Sequence, residues 1–168
     1  MWQVKKTKLK PYLYNDDAYS NFAMVSSDLF ASWQFQDLSY AARSFYLLCA
    51  VHKHTGEQST CLFKALKEYY ELKGEEISEY DLKLYSGQIA NAKVQSMYFV
   101  IPQSHLGQYG YTAQYANKLK KELIDKGFIK VFANEKRHAK GNVQGANRDF
   151  SKRVTIYEFS TDWKRREI

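Results

Sequence analysis

Between residues 99 and 159 the hydrophobic period changes in a fixed order, and that order restricts the fold more than any other feature of the chain. Phe99, Val100 and Ile101 form a short apolar run closed by Pro102, which predicts a small strand. Residues 103–108 predict a short helix, and Tyr109, Gly110 and Tyr111 a turn whose glycine permits a positive φ. Thr112 is placed to cap a helix running through Lys126, with Gly127 just beyond its end. Within that helix Ala116, Leu119 and Leu123 fall on one stripe. Residues 128–132 alternate as a strand, residues 133–152 are long and polar, and residues 153–159 alternate again. Val154, Ile156 and Phe159 are the candidate inward positions of that last strand, and Trp163 lies just beyond.

Upstream, residues 38–54 predict a helix capped by Ser39, with Leu38, Ala42, Phe45, Leu48, Cys49 and His52 on one face. Its last turn carries His52, Lys53 and His54, where the helix dipole favours positive charge. Residues 59–73 predict a second helix with Leu62, Leu66, Tyr69 and Tyr70 inward and Gly74 as its stop. Residues 77–98 look helical, with a break at Ser86 and Gly87. Residues 1–14 read as a partly extended arm, and residues 19–35 as a strand or turn followed by a short helix capped by Ser27 or Asp28.

The sequence therefore implies an α+β, mostly helical chain: an arm and lead-in over residues 1–37, then one domain over 38–164. The element order is that of a winged helix-turn-helix, with a helical insertion (residues 56–98) between its first and second helices and a long basic wing (residues 133–152). The second helix of such a unit enters the major groove, so its faces should divide sharply. Gln114, Asn117, Lys118 and Lys121 lie about 200° round from the apolar stripe at ~100° per residue. With Thr112 they offer amides able to read base edges and two lysines able to reach phosphates or guanine. In and beside the wing, Lys136, Arg137, Lys140, Arg148, Lys152 and Arg153 outnumber Glu135 and Asp149 and would hold the phosphate backbone or an adjacent minor groove. Lys5, Lys6, Lys8 and Lys10 are a weaker phosphate-contacting set that equally suits a solvated arm.

Charge concentrates in the same region. The chain of 168 residues has a net charge of +7, yet residues 1–100 carry 11 basic and 11 acidic side chains. All the excess, 14 basic against 7 acidic, falls in residues 101–168, a distribution that attracts a polyanion.

The run Tyr109, Gly110, Tyr111, Thr112, then Leu119, Leu123, Gly127, Phe128 and Ile129, then Tyr157, Glu158, Phe159 and Ser160 with Trp163 and Lys164, resembles winged-helix proteins of phages, plasmids and conjugative elements, including the DNA-binding domains of some replication initiators. Residues Leu38, Ser39, Tyr40, Ala41, Ala42 and Arg43, with Tyr46, Leu47 and Leu48, are similar to the first helix of that family. The resemblance covers roughly residues 22–54 and 99–164. It implies that the helix over residues 112–126 meets DNA in replication, transfer or transcriptional control of a mobile element. The chain departs from the family in its insertion and in the length of its wing.

Other chemistry finds little footing. Cys49, His52, His54 and Cys61 match no closed zinc spacing, and Cys49 falls on an apolar face. Glu75, Glu76, Glu79 and Asp81 read as an exposed charge run, and no Gly-rich phosphate loop or catalytic triad can be composed. The expectation is a non-enzymatic protein without cofactor or metal, cytoplasmic, with neither leader peptide nor membrane span and with free thiols. The competing expectation is a protein-interaction module, an assembly factor or inhibitor, that docks a partner or a second copy through the Tyr-rich insertion. Single-stranded DNA or RNA binding on exposed tyrosines is a further alternative.

Overall fold

A computed structural model describes residues 25–53, 56–89, 97–133 and 155–168, the side chains of residues 56 and 57 aside. The expected arm, the wing from residue 134 onward with Val154, and His54 lie outside these residues, while Ala133, expected to open the wing, ends a strand. Those described form an α+β, mostly helical structure with one small antiparallel sheet.

The lead-in holds two short helices, α1 (Ser27–Ala31) and α2 (Trp33–Gln36). Their caps are Ser26, whose hydroxyl accepts from the Leu29 N–H at 3.1 Å, and Ser32, which accepts from Phe35 at 3.2 Å. This corrects the expected single helix capped by Ser27 or Asp28: two short helices form, and Ser26 and Ser32, each with extended backbone three residues before a free N–H, cap them. Helix α3 (Tyr40–His52) begins after Ser39, as expected, with the Ala42 N–H donating to its hydroxyl at 3.2 Å. Helix α4 (Gly56–Lys73) starts three residues earlier than its apolar pattern implied and is followed by Gly74 at φ +67°.

The expected long helix over residues 77–98 is only partly present. Helix α5 (Glu79–Tyr85) is capped by Ser78 and stops at Ser86 and Gly87, the anticipated break. Tyr98 lies instead in a strand, β1 (Tyr98–Phe99). After Pro102 come α6 (Gln103–Gln108), α7 (Ala113–Asp125) and β2 (Ile129–Ala133), then β3 (Ile156–Phe159) and a 3₁₀ turn over Asp162–Arg165.

The sheet order is β1-β3-β2, every pair antiparallel, so the last strand is central. Tyr98 faces Glu158 and Phe99 faces Tyr157 in one ladder. Ile129 faces Phe159 and Val131 faces Tyr157 in the other, with a register shift between Val131 and Ala133. Such a shift lets the side-chain alternation change faces.

Two apolar clusters result, one per face of the sheet. The first joins Phe35, Ala42, Phe45, Tyr46 and Cys49 to Phe99, Leu106, Ala116, Leu119, Leu123, Phe128, Ile129 and Tyr157. It is the core between α3, α6, α7 and the sheet. The second joins Leu62, Ala65, Leu66 and Leu82 to Val100, Ala133 and Ile156. Here α4 and α5 cover the other face. Ile156 and Phe159, expected on one inward face, therefore point into different clusters, and Tyr157, not anticipated as inward, is buried beside Phe99. Three residues apart, Ile156 and Phe159 cannot share a face of one regular strand; both are covered because helices pack on both faces of the sheet, although Lys130 and Val131 of β2 stay exposed.

Candidate nucleic-acid interface

Helix α7 is set by its ends. Thr112 accepts from the Tyr115 N–H at 3.2 Å, completing the N-cap. At the other end Gly127 adopts φ +82° and turns the chain into β2. Before α7, Gly110 at φ +81° closes the turn from α6, where the Tyr111 N–H donates to the Leu106 carbonyl at 3.1 Å.

Polar contacts fix how α7 lies on α3. The Glu122 carboxylate accepts from both the backbone N–H and the hydroxyl of Ser39, each at 2.7 Å. Lys126 reaches the Asp37 carboxylate at 3.1 Å, and Arg166 reaches the same group at 2.8 Å. Arg166 foremost, then Lys126, holds the Asp37 carboxyl below its ordinary range. Partial burial pushes Glu122 up, but the Ser39 donors and Lys126 outweigh it, and its carboxyl also sits below the ordinary range. The pairs join the α2–α3 junction, the end of α7 and the 3₁₀ turn.

With Ala116, Leu119 and Leu123 buried against α3, the opposite side of α7 is open. Thr112, Gln114, Asn117, Lys118 and Lys121 are all exposed; Gln114, Asn117, Lys118 and Lys121 share the open face, while Thr112 lies at the N-terminal end of the helix in line with the buried stripe, its hydroxyl occupied by the cap. Lys121 pairs with Asp125 at 2.5 Å, both side chains being well exposed. Such an exposed pair is worth little and exchanges readily for a phosphate. Neither the Gln114 nor the Asn117 amide is engaged by another residue among those described. The other expected contacts, Lys136, Arg137, Lys140, Arg148, Lys152 and Arg153, lie outside the described residues, as do Lys5, Lys6, Lys8 and Lys10.

One member of this surface escaped the sequence reading. Tyr115 is 43% exposed, and its ring lies parallel to that of Tyr111 at 5.9 Å and 15°. Tyr111 in turn meets Phe45 edge-on at 5.2 Å. The aromatic ladder runs from the core to the flank of α7, between the buried stripe and Gln114, and holds Tyr115 in place. Its position one residue ahead of Ala116, off the apolar stripe, was the available signal.

The insertion's tyrosines other than Tyr80 are engaged in packing. Tyr69, Tyr70, Tyr85 and Tyr98 are half-buried; Tyr69 and Tyr98 meet Phe132 at 5.2 and 4.5 Å, and Tyr85 meets Tyr98 at 6.1 Å. Among the described residues of the insertion, Leu72, Tyr80 and Met97 are the exposed large apolar side chains. His52 is buried against His105, Nε2 to Nδ1 at 2.9 Å, joining the end of α3 to α6. Cys49 is fully buried, and desolvation pushes its thiol far above its ordinary range. Among the described residues no group of three metal-ligating side chains gathers, and no helix is long and apolar enough to cross a membrane. In comparison with known proteins, no family model, no curated protein and no solved structure matches this chain.

Proposed function

We propose that this chain is a non-catalytic winged-helix protein that binds duplex DNA, with α7 in the major groove and the basic segment 134–154 along the backbone. The observation that carries the reading is the α6–turn–α7 unit. Its second helix is clamped on α3 by one stripe and presents Gln114, Asn117, Lys118 and Lys121 on the opposite, open side, with Thr112 exposed at its N-terminal end. The order β1-β3-β2, with the long basic connection between β2 and the central β3, supports it, because a wing leaves the sheet between those two strands. The charge excess of residues 101–168 supplies the long-range attraction. Within this reading the protein serves replication, transfer or transcriptional control of a mobile element, in the cytoplasm.

The test is binding of the pure protein to duplex DNA, single-stranded DNA and RNA by fluorescence anisotropy across a salt series. Duplex binds most tightly, and log affinity falls linearly with log salt. Lys118→Ala with Lys121→Ala weakens all sequences alike and lowers the slope by about one for each phosphate contact removed. An unchanged affinity and slope in the double variant would remove α7 from the interface.

A further inference from the structure

The side chains on the open face of α7 carry a preference that the charge pattern alone does not. Resting on the duplex-DNA reading above, we propose that α7 selects A·T-rich sites, with Gln114 and Asn117 reading adenines and with Ala113 and Tyr115 packing against thymine methyl groups.

The argument is one of matching donors and acceptors. In the major groove adenine shows an acceptor (N7) beside a donor (N6–H₂), while guanine shows two acceptors (N7 and O6). A carboxamide carries one carbonyl and one NH₂, so Gln114 and Asn117 complement adenine in two bonds and guanine in only one. Both are exposed on the first two turns of α7, one helical step apart, and both amides are unengaged among the described residues. Guanine is best matched by a donor-only fork, and the whole stretch from residue 101 to residue 133 contains no arginine. Lys118 is the nearest donor-only side chain, but a lysine is a point charge without the fork, and Lys121 already faces Asp125. Beside the amides stand apolar groups: the exposed methyl of Ala113 next to Asn117, and the ring of Tyr115 on the flank of the helix that adjoins Gln114. Thymine is the base that presents a methyl to the major groove, and an apolar contact there separates it from cytosine. Tyr115 suits this because its stack on Tyr111 fixes the ring before DNA arrives, so little side-chain entropy is lost on contact.

The experiment is selection of bound duplexes from a randomised pool by the full chain, followed by sequencing, for the natural protein and for Gln114→Ala, Asn117→Ala and Tyr115→Ala. Circular dichroism confirms that each exposed-site variant keeps its helix content. The natural protein enriches a site with adenines at two separable positions. Each amide variant loses about tenfold of the preference at one of them and keeps the other, and Tyr115→Ala relaxes a thymine position. Enrichment of G·C pairs, duplex binding without base preference, or an A·T preference that survives both amide substitutions unchanged each overturns the inference while leaving duplex binding intact. Recovery of no duplex at any salt concentration overturns the duplex-DNA reading itself, and this inference with it.

Discussion

At Gly127 two demands meet on one residue. Its φ of +82° lies in the left-handed region, and a Cβ there would stand 2.8 Å from the backbone nitrogen of Trp163 and 3.0 Å from the Asp162 carbonyl carbon. The close approach is functional for the fold: the Trp163 N–H donates to the Gly127 carbonyl at 3.1 Å, and the Trp163 ring lies parallel to Phe128 at 5.5 Å. Any side chain at residue 127 is strained and also wedges the segment after β3 away from its seat on Phe128. Gly127→Ala is therefore expected to lose about 2 kcal/mol or more, the strain alone being on the order of 1–3 kcal/mol. Urea unfolding measures this, and a variant as stable as the natural protein would show that the 3₁₀ turn yields freely. Gly110 also has a positive φ, but a Cβ there meets nothing within 4 Å, so its alanine variant carries backbone strain alone.

At the scale of elements, α7 depends on Glu122 for its seat on α3, and this makes the seat sensitive to acid. The Glu122 carboxyl titrates below its ordinary 4.5 in the folded chain, so it binds protons less readily there than in the unfolded chain. Its contribution is present above pH 4.5 and is lost as pH falls through the lower, folded value. Thermal melts from pH 7 to pH 3 should show a steep acid limb, and Glu122→Gln should lower stability at pH 7 while flattening that limb. An acid limb of unchanged steepness would assign it to other carboxylates, Asp37 first among them. The same helix shows what a sequence conveys well. Thr112, the Ala116, Leu119 and Leu123 stripe, and Gly127 are local signals, and they located α7 and its open face to within a residue. Signals that name a face but not its partner convey less. Leu62 and Leu66 marked an apolar side of α4 without telling that β1 and β3 would fill it. Tyr98, read as the end of a helix, pairs with Glu158, sixty residues away in sequence, so nothing local could place it in a strand. Glu122 reads as one more surface charge until α3 is brought against it. Tyr115 stands off the apolar stripe, and nothing local told that Tyr111 would stack on its ring.

At the scale of the molecule, the described residues form three layers: α3, α6 and α7 on one face of the sheet, the sheet itself, and α4 with α5 on the other. Val100, Ala133 and Ile156 are buried only because α4 and α5 lie over them. Replacing residues 56–89 by a short flexible linker is expected to abolish the cooperative transition and to expose apolar surface that binds a hydrophobic dye, although every residue of the α7 face is left in place. A shortened chain that melted cooperatively near the natural temperature would mean that the first cluster suffices alone. The segment that looks in sequence like an addition to a smaller unit thus walls in the second of that unit's two apolar clusters. It is not a detachable cassette: a graft of the α7 face into another protein would have to carry α4 and α5 along with it, and a change in how they pack would be felt at β2, from which the chain leaves toward residues 134–154.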